Sequence, residues 1–296
     1  MKHLIFDANN IASISFYRAR SLMMEDIDSK LTVNNEEEYC EDLEEMKKNI
    51  TGFAVHLFLN KIHTIIKYYK DRRVFFVWDG RHGSLWRKKA NTSYKANRTR
   101  DEDFYSIFIN MMNTTSDILK NYPVIQLAKD DAEADDLIYS LVKSLESEEI
   151  TVVSTDSDMI QLAQQFKNVN IWNPISKKYH TIPEYNYVIF KSVVGDKSDN
   201  ISGVPKYGNV KGKKIATEGL QLLSEEYRKI VEENIKIIDL SKNPSEGENT
   251  LFVQNELNNC KLSYDFEQIK KCFFDLKLKQ QLDQFGSTMG LIKSLQ

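Results

Sequence analysis

Nine carboxylate side chains occupy positions from which they could share divalent metal ions. They are Asp7, Asp79, Glu133, Asp135, Asp136, Asp156, Asp158, Asp196 and Asp199. Carboxylate oxygens are hard ligands, and Mg²⁺ prefers them to nitrogen or sulfur. Two such ions, roughly 3.5–4 Å apart, can activate a water molecule and stabilise the leaving oxygen of a phosphodiester. The set therefore predicts metal-assisted phosphodiester chemistry.

The densest part of this set is the run 130–136, which holds five carboxylates in seven residues. One alternative is an ordinary acidic first turn of a helix, since negative charge offsets the helix dipole. Five carboxylates exceed what capping requires, and Glu133 and Asp136 lie three apart on one helix face. Across the whole set of nine carboxylates, mutual repulsion predicts that some pKa values are raised in the absence of a cation.

Three short apolar runs lead into carboxylates. The runs are 4–6, 74–78 and 150–153. Continuous β-branched or aromatic runs predict buried strands of a parallel sheet. Helical stretches separate them at about 50–70, 101–121 and 131–146. This alternation predicts an α/β fold with a doubly wound, mainly parallel sheet and helices on both faces. Ligands bind at the carboxyl ends of such strands, where Asp7, Asp79 and Asp156 are expected.

The texture of the chain changes after Tyr187, where turns rich in Gly, Lys and Asn precede further helices. We predict an α/β domain over 1–185 and a helical part over 186–296. Within the first, 25–48 is an acidic insertion, helix-rich or mobile, whose simplest interpretation is a solvated face.

Charge is unevenly distributed along the chain, whose net charge is −3. Residues 25–48 hold ten acids and three lysines, a net of −7, which leaves −3 − (−7) = +4 for the remainder. The segment 81–100 holds seven Lys or Arg and no acid, a local basic footprint.

Composition predicts a cytoplasmic protein without a membrane span. The three cysteines lack Cys-x-x-Cys spacing, which fits a reducing compartment and argues against structural zinc. The charge at Asp7 interrupts any signal-peptide core, and no apolar run approaches the roughly 18 residues of a transmembrane helix.

Six sequence blocks that carry these acids resemble the flap endonuclease/5′-3′ exonuclease family, which includes the 5′-nuclease domain of bacterial DNA polymerase I and stand-alone phage enzymes. In family order the blocks are Phe6-Asp7-Ala8-Asn9, Trp78-Asp79-Gly80, Tyr94-Lys95-Ala96-Asn97-Arg98, Glu133-Ala134-Asp135-Asp136, Ser154-Thr155-Asp156-Ser157-Asp158 and Val194-Gly195-Asp196-Lys197-Ser198-Asp199-Asn200-Ile201-Ser202-Gly203-Val204-Pro205. Other stretches, among them Trp86-Arg87-Lys88, are similar to the branch that contains the ribonuclease H of T-even phages.

The resemblance implies a PIN-like 5′-nuclease fold and a two-metal mechanism with Mg²⁺, for which Mn²⁺ can substitute. It implies substrates with 5′ flaps, nicks or ends, RNA–DNA hybrids, and RNA-primer removal during replication in a phage-infected host cytoplasm. The ligands that it implies for the first ion are Asp7, Asp79, Glu133 and Asp135. Those for the second are Asp156, Asp158, Asp196 and Asp199, with Asp136 as an acid outside direct contact.

Lys95 and Arg98 lie one helical turn apart in the basic segment 81–100. A solvated helix face is one interpretation. The resemblance favours a clamp on the scissile phosphate, in which Arg makes bidentate contacts and Lys acts as a point charge. It also implies an arch or gateway for single-stranded 5′ ends, with Tyr94 stacking on a base. The phosphate-positioning residues expected here are Arg81, Arg87, Lys88 and Lys89.

A helix–turn–helix at about 195–220 resembles the family's duplex-binding motif, in which backbone amides and lysines hold phosphates. The expected contacts are Gly203, Lys206, Lys211, Gly212, Lys213 and Lys214. The usual Gly-x-Gly-x-Lys turn is stretched by about three or four residues between Pro205 and Gly212. This departure weakens the expectation of duplex affinity and of a K⁺ ion at the turn.

Three other functions compete with a nuclease. A non-catalytic DNA-junction binder would gain nothing from concentrated negative charge beside phosphates. A toxin-like ribonuclease would lack the Gly203-Val204-Pro205 turn and the long C-terminal region. A haloacid-dehalogenase-type phosphatase requires Asp-x-Asp after the first strand, where Ala8-Asn9 follow Asp7.

Packing or partner roles are expected elsewhere. His56 and His63 share a helix face, which favours a core or rim position over catalysis. The amphipathic pattern of 273–296 is compatible with a single-stranded-DNA-binding protein as partner, and equally with burial. A sliding clamp is a further possible partner, and the expected state is a monomer.

Overall fold

The structure is a computed structural model that describes residues 1–30, 36–99 and 101–295. The chain divides into two compact units. The first comprises residues 1–76, 100–126 and 260–296, and the second comprises 77–99 and 127–259. The boundary predicted near residue 185 falls within the second unit and stays a prediction.

The described residues form eight strands and thirteen α-helices. The strands are β1 (Lys2–Asp7), β2 (Arg73–Val77), β3 (Ile125–Leu127), β4 (Glu149–Val153), β5 (Val169–Asn173), β6 (Lys178–Tyr179), β7 (Gly195–Asp196) and β8 (Ile201–Ser202). The helices are α1 (Ala8–Lys30), α2 (Glu36–Tyr68), α3 (Leu85–Ala90), α4 (Glu102–Leu119), α5 (Ala134–Ser144), α6 (Ile160–Gln165), α7 (Tyr187–Val194), α8 (Asn209–Glu218), α9 (Glu225–Ile238), α10 (Glu246–Asn259), α11 (Phe266–Asp275), α12 (Lys279–Asp283) and α13 (Phe285–Lys293).

In the first unit, the strands lie in the order β3-β2-β1. The apolar runs predicted as strands are buried: Phe6, Phe75 and Phe76 have no exposed surface, and Phe6 stacks on Phe76 at 4.8 Å between ring centroids. Helix α2 packs against α1 and α4. His63 of α2 is buried and lies 3.1 Å from the hydroxyl of Tyr122, so its predicted core role is confirmed.

The acidic segment 25–48 is helical wherever it is described. It comprises the last turns of α1 and the first turns of α2, whereas residues 31–35 lie outside the described residues. Arg100 of the basic segment and the C-terminal Gln296 also lie outside them. The amphipathic segment from Phe273 onwards packs as core, since Phe273 and Ile292 are fully buried.

In the second unit, β4 pairs in parallel with β5, with Ile150 opposite Val169. Strand β5 turns back into the short antiparallel β6. Helix α10 packs against α5, and α7 packs against both α8 and α9. A buried cluster that includes Val193, Val204 and Val231 joins α7 to α9 and to the segment before α8.

Within these described ranges, no helix combines the length and the apolar character needed to cross a membrane.

Candidate metal centre

Asp79 lies two residues beyond the end of β2 and faces the first turn of α5. Its Oδ1 accepts a hydrogen bond from the backbone amide of Ala134 at 2.7 Å. Gly80 makes this approach possible, because a Cβ there would lie 1.8 Å from the carbonyl oxygen of Lys129. The amide of Gly80 also donates to the carbonyl of Ala132 at 2.9 Å. The glycine of the Trp-Asp-Gly block is thus required sterically beside segment 129–132.

Asp136, in the first turn of α5, is 1% exposed and surrounded by donors. Its oxygens accept two bonds from Arg87, at 2.7 and 3.0 Å, one from Trp86 Nε1 at 3.3 Å and one from the Glu133 amide at 3.2 Å. The last bond is half of a capping box at the start of α5. Asp136 therefore holds Arg87, which fits an acid outside direct metal contact.

Glu133 is buried among three donors. Its Oε2 accepts from Arg87 at 2.5 Å and from the Tyr94 hydroxyl at 3.1 Å, and its Oε1 accepts from Lys95 Nζ at 2.6 Å. Burial alone would raise the pKa of Glu133, but the charges of Arg87 and Lys95 outweigh it and lower that pKa. Burial would likewise lower the pKa of Lys95, but Glu133 and then Asp199 raise it. Both groups are charged at neutral pH.

A second group of carboxylates lies beyond the end of β4. One carboxylate oxygen from each of Asp158, Asp196 and Asp199 lies within 4.8 Å of the other two. Asp156 begins the turn, where its Oδ1 accepts from the amide of Asp158 at 2.8 Å. Asp196 Oδ1 is fixed by the amide and the hydroxyl of Ser198, at 2.8 and 2.6 Å. Four predicted ligands therefore lie on two neighbouring turns.

Lys191 of α7 lies within this second group. Its Nζ is 2.5 Å from Asp158 Oδ1 and also donates to Asp196 Oδ2. Burial, followed by the charge of Asp156, raises the pKa of Asp158 to about 7 despite this lysine. The sequence interpretation did not include Lys191. The available signal was a single lysine in the otherwise apolar helix that leads into Asp196.

Two predicted ligands remain, Asp7 and Asp135. Asp7 ends β1 in the first unit, where it is 5% exposed and its Oδ1 accepts from the Asn10 amide at 3.1 Å. Asp135 lies half-buried in the first turn of α5. Their roles as ligands stay predictions.

The donors in the second group fit a hard divalent cation. The group offers carboxylate oxygens from Asp158, Asp196 and Asp199, the ligand type that Mg²⁺ prefers. The ammonium of Lys191 already stands between two of these acids, which shows that the position accepts positive charge.

Lys95 lies in a turn and not in the expected helix. Its φ is 56°, in the left-handed region, and its amide donates to the Asp199 carbonyl at 2.8 Å. Arg98 Nη2 lies 2.9 Å from Asp199 Oδ1, and Asn200 Nδ2 donates to the Ser93 carbonyl at 2.7 Å. The turn is therefore held against segment 197–200, and both cations are paired with predicted ligands.

Two other predicted nucleic-acid contacts are buried. Arg87 and Tyr94 are each 3% exposed, and Arg87 Nε donates to the Ile237 carbonyl at 3.1 Å. With its other donors on Glu133 and Asp136, Arg87 has no face open to a phosphate. Tyr94 likewise has no face on which a base can stack. Both side chains instead hydrogen-bond to Glu133, and their roles as nucleic-acid contacts stay predictions. Arg81, Lys88 and Lys89 are exposed.

The segment expected to hold duplex DNA runs from β8 through a turn into α8. Its lysines are exposed, namely Lys206, Lys211, Lys213 and Lys214. Gly212 is buried, and a Cβ there would lie 2.5 Å from Val194 Cγ1, so this glycine serves packing; its DNA contact stays a prediction. Gly203 passes close to the Val194 backbone, which a Cβ would meet at 2.4 Å.

Comparison of this chain with known proteins identifies its family. Residues 2–191 match the model of the 5′-3′ exonuclease N-terminal resolvase-like domain. The chain is 31% identical over 242 residues to a 5′-3′ exonuclease of Buchnera aphidicola, covering 76% of this chain and 79% of the relative. It is 34% identical over 162 residues to ribonuclease H of Enterobacteria phage T4, covering 50% of this chain and 53% of the phage protein.

A solved structure agrees with the fold. It is the bacteriophage T5 flap endonuclease in a pseudo-enzyme–product complex with DNA and metal ions, with a TM-score of 0.61 and 18% identity over 87% of this chain and 98% of the other. The predicted fold class, a mostly parallel sheet with helices and a helical C-terminal region, is confirmed. The predicted enzyme class, a hydrolase acting on nucleic acids, is confirmed as well. This chain belongs to the 5′-3′ exonuclease family.

Proposed function

We propose that this protein hydrolyses phosphodiester bonds at 5′ flaps, nicks and ends of DNA and RNA–DNA hybrids with two Mg²⁺ ions, and so removes RNA primers during replication. The observation that carries the proposal is the approach of Asp158, Asp196 and Asp199 within 4.8 Å in a chain of this family. The T5 neighbour, solved with DNA and metal ions, supports it.

The residues assigned to the second ion are Asp156, Asp158, Asp196 and Asp199, and those assigned to the first include Asp79, Glu133 and Asp135. When bound, the ions supply an activated water and balance the charge that develops on the phosphate. The protein's own part begins with Ser198, which fixes the orientation of Asp196, and with the Ala134 amide, which fixes Asp79. These contacts orient the carboxylates before substrate arrives.

Lys95 and Arg98 hold the scissile phosphate in this proposal. Both are already at the edge of the carboxylate groups, 2.6 Å from Glu133 and 2.9 Å from Asp199. Lys95 then moves its hydrogen bond from Glu133 to a non-bridging phosphate oxygen, and Arg98 does the same from Asp199. Cations placed there stabilise the negative charge of the transition state.

The exposed lysines near α8 supply the duplex contact in this proposal. Lys206, Lys211, Lys213 and Lys214 surround the first turns of a helix whose N-cap, Gly208, has no side chain. Free backbone amides at a helix start bind phosphate without reading sequence. A K⁺ ion at the stretched turn before α8 would add to this contact.

A cleavage assay on a 5′-labelled flap substrate tests the proposal. Asp156→Asn should reduce the Mg²⁺-dependent rate by at least about 100-fold, because losing a ligand's charge weakens a metal site. The amide keeps the turn to Asp158, so flap affinity should change little. Asp130→Asn, an exposed acid of the same type outside both groups, is the matched control. Wild-type rates in Asp156→Asn would refute the metal assignment.

A non-catalytic junction binder is the competing function. It predicts flap binding that neither requires Mg²⁺ nor leads to products. Product formation by the wild-type chain that EDTA abolishes excludes the binder, and binding without cleavage in Mg²⁺ or Mn²⁺ excludes the nuclease.

A further inference from the structure

The acidic segment 25–48 has no part in the proposed nuclease function, yet it borders a cavity. In the first unit, α1 and α2 pack along each other, and a cavity of ≈ 480 Å³ lies between the end of α1 and the first half of α2. It is lined by residues of both helices, from Leu22 to Ile27 and from Asp42 to Phe53.

The lining combines an adaptable apolar floor with an acidic rim. Met23, Met46 and Phe53 supply apolar surface, and Met46 is 2% exposed while the other two are half-buried. Methionine side chains are flexible and polarizable, and they recur on surfaces that accept varied apolar partners. The rim carries three carboxylates, Asp26, Asp42 and Glu45.

Nearby cations do not balance two acids of this rim, Asp42 and Glu45. Lys47 pairs with Glu44 at 3.0 Å, and Arg18 lies 4.0 Å from Glu25. Among the described residues, neither Asp42 nor Glu45 has a cation within ion-pair distance. Segment 25–48 as a whole has a net charge of −7. Asp42 and Glu45 therefore give the cavity a negative field.

This field determines what can occupy the cavity. Nucleic acid is excluded, because its phosphates would be repelled. A lone metal ion is not favoured either, since the three acids that can share an ion among the described residues are Asp158, Asp196 and Asp199. A groove between two helices with apolar floor and charged rim suits an amphipathic helix of opposite charge.

We propose that this groove between α1 and α2 is a docking site for a basic amphipathic helix of a partner protein. The apolar face of that helix rests on Met23, Met46 and Phe53. Its lysines or arginines pair with Asp42 and Glu45. The charge complementarity selects the partner and speeds its approach, while the apolar floor holds it.

A synthetic helix is a suitable probe. We would titrate the full chain with a fluorescein-labelled peptide of about 16 residues, made of Lys and Leu at helical spacing, and follow fluorescence anisotropy. Two comparison peptides are needed: one with Glu in place of Lys, and one with the same composition scrambled so that no apolar face forms. The proposal expects binding of the first peptide alone, weakened by added salt.

Variants locate the binding. Asp42→Lys combined with Glu45→Lys should weaken the peptide's affinity by about tenfold or more, since two attractions become repulsions. Glu225→Lys combined with Glu232→Lys, exposed acids on α9, changes the net charge equally and should leave affinity within about twofold. Flap cleavage should be unchanged in both double variants, because neither touches the metal centre.

A second measurement needs no variant. Hydrogen exchange of the wild-type chain should show peptide-dependent protection confined to about 22–27 and 42–53. The proposal is overturned if the scrambled peptide binds equally, if both double variants weaken binding alike, or if protection appears elsewhere. It is also overturned if light scattering shows a dimer that the Asp42→Lys/Glu45→Lys variant dissolves, because the occupant is then a second copy.

Discussion

The ammonium group of Lys191 lies 2.5 Å from Oδ1 of Asp158, inside the group of carboxylates that we assign to a metal ion. This contact explains how the fold tolerates several acids at short range without an ion, since the lysine offsets part of their repulsion. A divalent cation at this position would lie beside a charge of its own sign. We therefore expect Lys191 to stabilise the metal-free protein at the expense of metal affinity.

The first prediction tests these two opposite effects by removing the charge of Lys191. Lys191→Met should lower the free energy of unfolding in EDTA by about 3 kcal/mol, because a buried acid loses its partner. The same variant should bind Mn²⁺ more tightly than wild type in calorimetric titration. Lys197→Met, an exposed lysine in the neighbouring turn, should change neither quantity. Weaker Mn²⁺ binding by Lys191→Met would show that the lysine assists the ion.

The second prediction concerns Arg87, whose buried guanidinium pairs with Glu133 and Asp136. Arg87→Met should cost about 3–5 kcal/mol of unfolding free energy, because it leaves buried carboxylates unpaired. Lys88→Met, the exposed neighbour, should cost less than about 0.5 kcal/mol. Urea unfolding monitored by circular dichroism measures both. If the Arg87→Met protein were as stable as wild type but bound the flap more weakly, the result would support the phosphate contact predicted from the sequence.

The difference between Arg87 and Lys88 also shows what the sequence can reveal. Strand ends and motif blocks are local signals, and among the carboxylates that they indicated the structure brings Asp158 together with Asp196 and Asp199. Whether a basic side chain is buried depends on residues that can be far away in the sequence. Arg87 is buried by Glu133, 46 residues along the chain, and nothing within its own helix indicates that partner.

The third prediction is a pH dependence of stability that arises from His63. Burial, followed by the charge of Lys67, lowers the pKa of His63 from 6.5 to about 4. Between about pH 4 and pH 6.5, His63 is therefore protonated in the unfolded chain but neutral in the folded protein. Stability should therefore fall as the pH is lowered from about 6.5 to about 4, by up to about 3 kcal/mol. Urea unfolding at several pH values measures the slope.

His63→Gln provides the matched control for that slope, because glutamine can keep a hydrogen bond to Tyr122 but does not titrate. The variant should lose most of the dependence between pH 6.5 and 4, apart from the part contributed by carboxylates. An unchanged slope would assign the effect to other groups.

The fourth prediction uses two glycines with opposite surroundings. At Gly80 a Cβ would lie 1.8 Å from the Lys129 carbonyl oxygen, whereas at Gly290 of α13 it would meet nothing within 4 Å. Gly80→Ala should destabilise the protein by about 3 kcal/mol or more and displace Asp79 from the Ala134 amide, with loss of cleavage. Gly290→Ala should stabilise it by about 0.4–1 kcal/mol, because alanine loses less backbone freedom on folding. Thermal unfolding and the flap assay separate these outcomes.

If Gly80→Ala unfolded and cleaved like wild type, segment 129–132 would have to move away. The steric reason given for the Trp-Asp-Gly block would then be wrong.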